Sequence, residues 1–259
     1  MNTPDIARQA AISAGNVLSE YFNNGVVMRT KSASVDLVSD ADINAERAIA
    51  EIIRNAYPDH SVFGEEENCD STEAEHLWII DPLDGTTNFA HGIPHWAVSI
   101  AYYHNGVAET AVVFNPIRSD WYTATRGGGA FLNDEPISVC SAKGLNDAVI
   151  ATGFYYDRGA EMEATLASMN RLFRQQIHGI RRFGAASLDL AMTAAGQFSA
   201  YFEYQLGLWD FAAGRLLVEE AGGQVTTCDG SPLPMQKSGL LASNTTLHPL
   251  VLKEIRQAE

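Results

Sequence analysis

The stretch "WIIDPLDGTTNF", residues 78–89, follows Leu77 and runs apolar residues straight into Asp81, with Asp84 three positions on and Gly85-Thr86-Thr87 behind it. Pro82 has no N–H to give a central ladder, so the strand is expected to stop at Asp81 and to project that carboxylate from its end. Gly85 and the two threonines suit the start of a short helix, whose free amides and positive dipole end attract an anion such as phosphate. Two ionised carboxylates at close range repel, and the usual resolutions are a shared proton or a cation between them. Beside a phosphate-binding turn the cation is favoured, and all-oxygen ligands select a hard metal such as Mg²⁺. The same residues also fit a plain polar turn after a strand, because Asp, Pro and Gly are common turn residues.

Two other segments carry carboxylates in suggestive places. "VFGEEE" sets Glu65 after a short strand and a glycine, and "GLWDFAAG" sets Asp210 at the mouth of a helix beside a tryptophan. An acidic loop run is usually solvated surface and Asp is a frequent helix cap, so each also has an ordinary explanation. "HGIPH" spaces His91 and His95 four apart, but the glycine and proline between them spoil a helical zinc pair, which leaves them structural. "RGGGAF" lacks the lysine and Ser/Thr of a phosphate-binding P-loop and reads as a hairpin turn.

The elements that must position these groups alternate in type. Residues 4–23 have helical apolar spacing behind Thr3-Pro4, a cap and first-turn proline, and a second helix capped by Ser39 or Asp40 should end at Pro58. "VVMRTK" is a short strand. "HWAVSIAYYHNG", "VAETAVVFNP" and "DWYTATRGGG" are β-rich runs separated by turn residues, implying an antiparallel sheet. Beyond about Lys143 strands and helices interleave: "DAVIATGF", helices over 160–174 and 185–196, "SAYFE", the helix "WDFAAGRLLVEEAGG", another short strand and a helix over 247–257. With no repeat and no long linker, residues 1–259 are expected to form one α+β domain of stacked layers, a metal-site half over 1–142 and a substrate-pocket half over 143–259.

Composition narrows the partners. A net charge of -15 argues against a basic nucleic-acid surface, so no direct nucleic-acid binding is expected, and an anionic substrate needs another source of positive charge. Cys69, Cys140 and Cys228 are odd in number and form no CxxC pair, which suits a reduced cytoplasm better than a disulfide framework. "MNTPDIARQAAISAGNVLSEYF" has no basic start followed by an apolar block, so neither a signal peptide nor a membrane span is expected.

"GEEE", "WIIDPLDGTTNFAHGIPHWAVSI" and "WDFAAGRLLVEEAGG", in this order and at these separations, resemble the inositol monophosphatase family, and the likeness extends through "KSASVDLVSDAD" and "RRFGAASLDLAMTAAG". The resemblance implies a layered α-β-α-β-α sandwich, usually a homodimer, and Mg²⁺-dependent hydrolysis of a small phosphate monoester such as myo-inositol 1-phosphate. It implies two or three Mg²⁺ per site: Glu65, Asp81 and the Leu83 carbonyl for the first, Asp81, Asp84 and Asp210 for the second. In the implied mechanism water activated by metal attacks phosphorus directly, with Thr86 and Asp42 orienting it, Glu65 assisting, and no covalent phosphoenzyme. Gly85 and Thr86 would hold the phosphate, while Gly184, Ala186 and Glu203 would line the alcohol pocket. Lys31 and Asp36 match a loop that closes on the site and contributes to the third, weaker metal position. Lithium sensitivity is implied as well. Histidinol phosphate is an alternative substrate, since related phosphatases differ mainly in the alcohol pocket, and a regulatory role through binding a macromolecule is a further alternative. "QLGLW", just before Asp210, lacks the polar or basic residue that many relatives carry there.

Overall fold

The computed structural model describes residues 2–25, 28–30, 37–156 and 158–256. Its helices are α1 (Thr3–Asn24), α2 (Asp40–Ala56), α3 (Thr86–Ala90), α4 (Ala160–Arg174), α5 (Ala186–Ala194), α6 (Leu208–Glu220) and α7 (His248–Ile255). The cap of α1 lies one residue before the expected Thr3: the Asn2 side chain accepts the Asp5 amide at 3.0 Å, and Pro4 occupies the first turn, where its missing N–H costs nothing. A small antiparallel pair, β1 (Met28–Thr30) and β2 (Leu37–Ser39), leads into α2.

Seven strands form the larger sheet: β3 (Ser61–Gly64), β4 (His76–Asp84), β5 (Ala97–His104), β6 (Val107–Asn115), β7 (Asp120–Thr125), β8 (Gly129–Leu132) and β9 (Glu135–Ile137). They lie in sequence order and are antiparallel except for β3 beside β4. The "RGGG" run makes the turn between β7 and β8, as expected of it. The second sheet holds β10 (Val149–Thr152), β11 (Gly179–Arg181), β12 (Ala200–Leu206), β13 (Gly223–Thr226) and β14 (Ser238–Asn244), in spatial order β11-β10-β12-β14-β13.

Helices α1 and α2 pack on one face of the larger sheet, α5 and α6 lie between the two sheets, and α4 and α7 cover the outer face of the smaller one. This is the expected α-β-α-β-α sandwich, and three apolar clusters fill its interfaces. Alternation along β4 shows why its run is apolar throughout: Trp78 and Ile80 face α1 and α2, while Leu77 and Ile79 face the middle helices. A strand covered on both faces needs apolar residues at every position.

One expectation about β4 fails. The strand does not stop at Asp81; it continues to Asp84, which pairs with Ala97, and the register shifts between Asp81 and Asp84. A bulge accommodates Pro82 where regular pairing would demand its missing N–H. The bulge keeps both carboxylates on one strand end.

Candidate active site

Asp81, Asp84 and Asp210 converge: one carboxylate oxygen from each lies within 4.8 Å of the others. Asp81 and Asp84 come from the bulged end of β4 and Asp210 from the first turn of α6. Each is fastened by backbone amides. Asp81 Oδ1 accepts the Leu83 amide at 3.0 Å, and Asp210 Oδ2 accepts the Gly207 amide at 2.7 Å. Asp84 accepts the amides of Ala186 and Ser187 at 3.1 and 2.7 Å and the Ser187 hydroxyl at 2.5 Å, so it caps α5.

These carboxylates repel one another in a dry place. Burial, then the charges of Glu65, Asp84 and Asp210, push the Asp81 carboxyl well above the usual carboxylate range. Asp210 is raised likewise by burial, then by Asp84, Glu65 and Glu203. Burial raises Asp84 too, partly offset by its bonds from α5. Carboxylate charges so placed call for a cation, and an all-oxygen set fits a hard divalent ion. Glu65 stands outside the converging trio, although it is the largest charge acting on Asp81.

Around the trio the sequence-derived residues fall into two groups. Thr86 heads α3; its hydroxyl donates to the Leu83 carbonyl at 3.0 Å and lies 3.4 Å from Asp42 Oδ1 in the first turn of α2. Gly85 before it has φ +91°, and a Cβ there would stand 3.1 Å from the His95 carbonyl, so both conformation and space require glycine. The second group faces a cavity of about 550 Å³ that Glu65, Asp84, Gly85, Thr86 and Asp210 also line. Gly184, Ala186 and Glu203 border it. Lys31 and Asp36 lie outside the described residues.

Glu203 is buried, its carboxylate accepts the Tyr201 hydroxyl at 2.7 Å, and burial raises it to about 7. Gly153 leaves room for it: a Cβ at that position would sit 1.8 Å from Glu203 Oε2. His95 keeps a structural part, its carbonyl accepting from Asn88, which also donates to the Phe183 carbonyl and so ties α3 to the loop before α5.

The sequence reading passed over three contributors. Glu46, fully buried on α2, accepts the amides of Glu66, Glu67 and Asn68 and the Asn68 side chain, all at 2.7 to 2.8 Å, and thereby shapes the loop that presents Glu65. Its signal was spacing: Glu46 follows Asp42 by one helical turn on the same face. Ser187 holds Asp84 twice, its amide and its hydroxyl both donating to Oδ2. Asp189 lines the cavity with Oδ1 buried and without a hydrogen-bond partner, and it is raised well above the carboxylate range by burial, then by Asp84 and Glu203, with Arg182 opposing. A lone acid inside the apolar α5 was its signal.

Comparison with known proteins agrees with this layout. The inositol monophosphatase family model matches residues 2–259. The chain is 42% identical to the Nus factor SuhB of Pseudomonas aeruginosa over 257 residues, covering 97% of this chain and 95% of that one. It is 44% identical to an inositol-1-monophosphatase of Rhizobium meliloti, covering 91% and 89%. Among solved structures, the extragenic suppressor protein SuhB of Bartonella henselae superposes with a TM-score of 0.91 at 38% identity, with 98% of each chain covered. The inositol monophosphatase of Thermotoga maritima gives 0.91 at 32% identity, covering 98% and 97%. Over residues 2–259, this chain belongs to the inositol monophosphatase family.

Proposed function

We propose that the protein is a Mg²⁺-dependent phosphomonoester hydrolase whose substrate is myo-inositol 1-phosphate or a similar polyol phosphate. The observation that carries this reading is the converging trio Asp81, Asp84 and Asp210 at the edge of a cavity whose other side presents Glu203. Mg²⁺ held by the trio, with Glu65 and the Leu83 carbonyl beside it, would supply Lewis-acid polarisation of the phosphoryl group and a more acidic water. The chain's own residues do the rest. Amides of Gly85 and Thr86 hold phosphate oxygens, as the first turn of a helix leaves its N–H groups without intrahelical acceptors. With its proton turned from the Leu83 carbonyl to Asp42 Oδ1, 3.4 Å away, the Thr86 hydroxyl accepts from the attacking water and orients it, and Asp42 draws on the hydroxyl proton. Glu203 accepts hydrogen bonds from the alcohol, and Gly184 and Ala186 shape the wall beside it.

The test is phosphate release from a panel of phosphomonoesters with and without Mg²⁺. Preference for myo-inositol 1-phosphate or a related polyol phosphate, lost without Mg²⁺ and suppressed by Li⁺, supports the reading. Histidinol phosphate turning over far faster than every polyol phosphate would transfer the alcohol side to an amine substrate. A second, regulatory reading draws support from relatives named Nus factor SuhB at about this chain's full length. Capture of a transcription factor or RNA polymerase subunit by the purified chain, unaffected by Asp84→Asn, would establish that role beside hydrolysis.

A further inference from the structure

The end of β4 remote from the trio carries a different donor set. His76 opens the strand and pairs in register with His104, the last residue of β5. Their rings stack at 4.7 Å between centroids and 6° between planes. Glu75 precedes His76 and brings Oε1 to 3.5 Å from His104 Nε2 and 3.9 Å from His76 Nε2. The ligating atoms of Glu75, His76 and His104 all lie within 4.8 Å of one another. From His76 to Asp84 the strand spans roughly 26 Å at the usual rise per residue, so this cluster lies apart from the trio.

The surroundings orient these rings. His76 Nδ1 is 2.7 Å from the Tyr102 hydroxyl, the type of outer partner that fixes a ligating imidazole and leaves Nε2 available. On its other face His76 stacks on His60 at 4.4 Å, and His60 is held in turn by the Trp78 indole N–H on its Nδ1 at 3.0 Å. The Asn105 side-chain nitrogen lies 3.1 Å from His104 Nε2, a contact in which the imidazole nitrogen offers its lone pair. Glu75, His76 and His104 are each more than a third exposed at the side chain, so an ion reaches them from solution.

We propose that Glu75, His76 and His104 form a second metal site, selective for a borderline ion such as Zn²⁺ over Mg²⁺. Two imidazoles and a carboxylate make three protein ligands, with water completing a tetrahedron, whereas Mg²⁺ requires more oxygen ligands than this cluster offers. Closure requires the exposed His104 ring to tilt out of its parallel stack with His76 and to exchange its Asn105 contact for the ion, with the exposed Glu75 carboxylate following. Binding would join the beginning of β4 to the end of β5.

The test is calorimetric titration of the whole chain with Zn²⁺ in saturating Mg²⁺, which occupies the carboxylate trio. The wild type should bind one Zn²⁺ per chain at this cluster, and Zn²⁺ should raise its Tm. His104→Ala and Glu75→Gln, both at exposed positions, should weaken that binding about tenfold or more while Mg²⁺-dependent phosphate release without Zn²⁺ stays at the wild-type rate. Asp84→Asn should leave the Zn²⁺ isotherm in place. A Zn²⁺ isotherm unchanged in His104→Ala and Glu75→Gln, one that disappears with Asp84→Asn, or no binding by the wild type below millimolar Zn²⁺ would overturn the site.

Discussion

Asp81, Asp84 and Asp210 turn their oxygens toward one another, and the charges that act on Asp81 are those of other carboxylates. Glu203 lines the same cavity, yet the protein provides for it: Tyr201 donates to its carboxylate, and Arg182 lowers it against burial, whereas its neighbour Asp189 has Arg182 alone. The difference separates two kinds of recognition. Buried acids without a basic partner are incomplete until a cation joins them. Buried acids with a hydroxyl donor and a guanidinium nearby already tolerate their place, and can serve as acceptors for the hydroxyls of an alcohol. On the proposed function, one cavity thus has a side for an ion and a side for a substrate.

The largest effect should come from Asp84→Asn. Asparagine keeps one acceptor oxygen for the α5 amides but removes a charge from the trio, so turnover should fall to background in a phosphate-release assay. Thermal unfolding without divalent ions should show a Tm shifted by only a few degrees, because relief of like-charge repulsion offsets the roughly 1–3 kcal/mol cost of turning the asparagine NH₂ toward a donor of α5. Near-normal turnover in the folded variant would break the comparison on its cation side.

Thr86→Ala should lower kcat by about two to four powers of ten, the span of acid–base assistance, with little change in the Mg²⁺ concentration for half-maximal activity. Loss of Mg²⁺ affinity alone would make Thr86 a support for the Leu83 carbonyl instead.

Glu46→Gln is a smaller perturbation at one remove. Both Glu46 oxygens accept N–H groups, so the amide NH₂ of glutamine must face a donor, at a cost of roughly 1–3 kcal/mol. A lower Tm together with about tenfold weaker Mg²⁺ activation is expected, because the loop carrying Glu65 loosens. A lower Tm with unaltered Mg²⁺ activation would confine Glu46 to the fold.

The smallest effect belongs to the alcohol side. Glu203→Gln should reduce kcat/KM for a polyol phosphate about tenfold, near 1.4 kcal/mol. It also carries a pH signature. Burial raises Glu203 from 4.5 to about 7, so the folded chain binds that proton more tightly than the unfolded one. The resulting stability is fully present below pH 4.5 and is lost as pH rises through about 7, a decline of roughly 3 kcal/mol at most. Unfolding free energies of the metal-free chain from pH 4 to 8 should show a flatter profile in the variant. Identical profiles would mean that Glu203 is solvated enough to ionise freely.

Much of this was legible because local chemistry and long-range placement coincide at "WIIDPLDGTTNF". The doubly apolar run required a strand covered on both faces, and Gly85 required a turn. The strand's end was misplaced because Pro82 forbids regular pairing but not a bulge, and only the partner strand β5 reveals that distinction. Short strands such as β9 and β11 have too few residues to show a period, and they are fixed by neighbours distant in the chain. Asp189 and Glu46 were hidden for a related reason. An acid in a helix reads as solvated until its surroundings are known, and those of Asp189 come from Glu203 and Asp84, on other elements.

The central claim is that the trio holds a divalent ion rather than a shared proton, and anomalous diffraction from crystals of the wild-type chain soaked in Mn²⁺ tests it most directly. An anomalous peak within bonding distance of oxygens from Asp81, Asp84 and Asp210 is the expected result. Ordered Mn²⁺ elsewhere in the crystal, with the three carboxylates bare and hydrogen-bonded to one another, would contradict it.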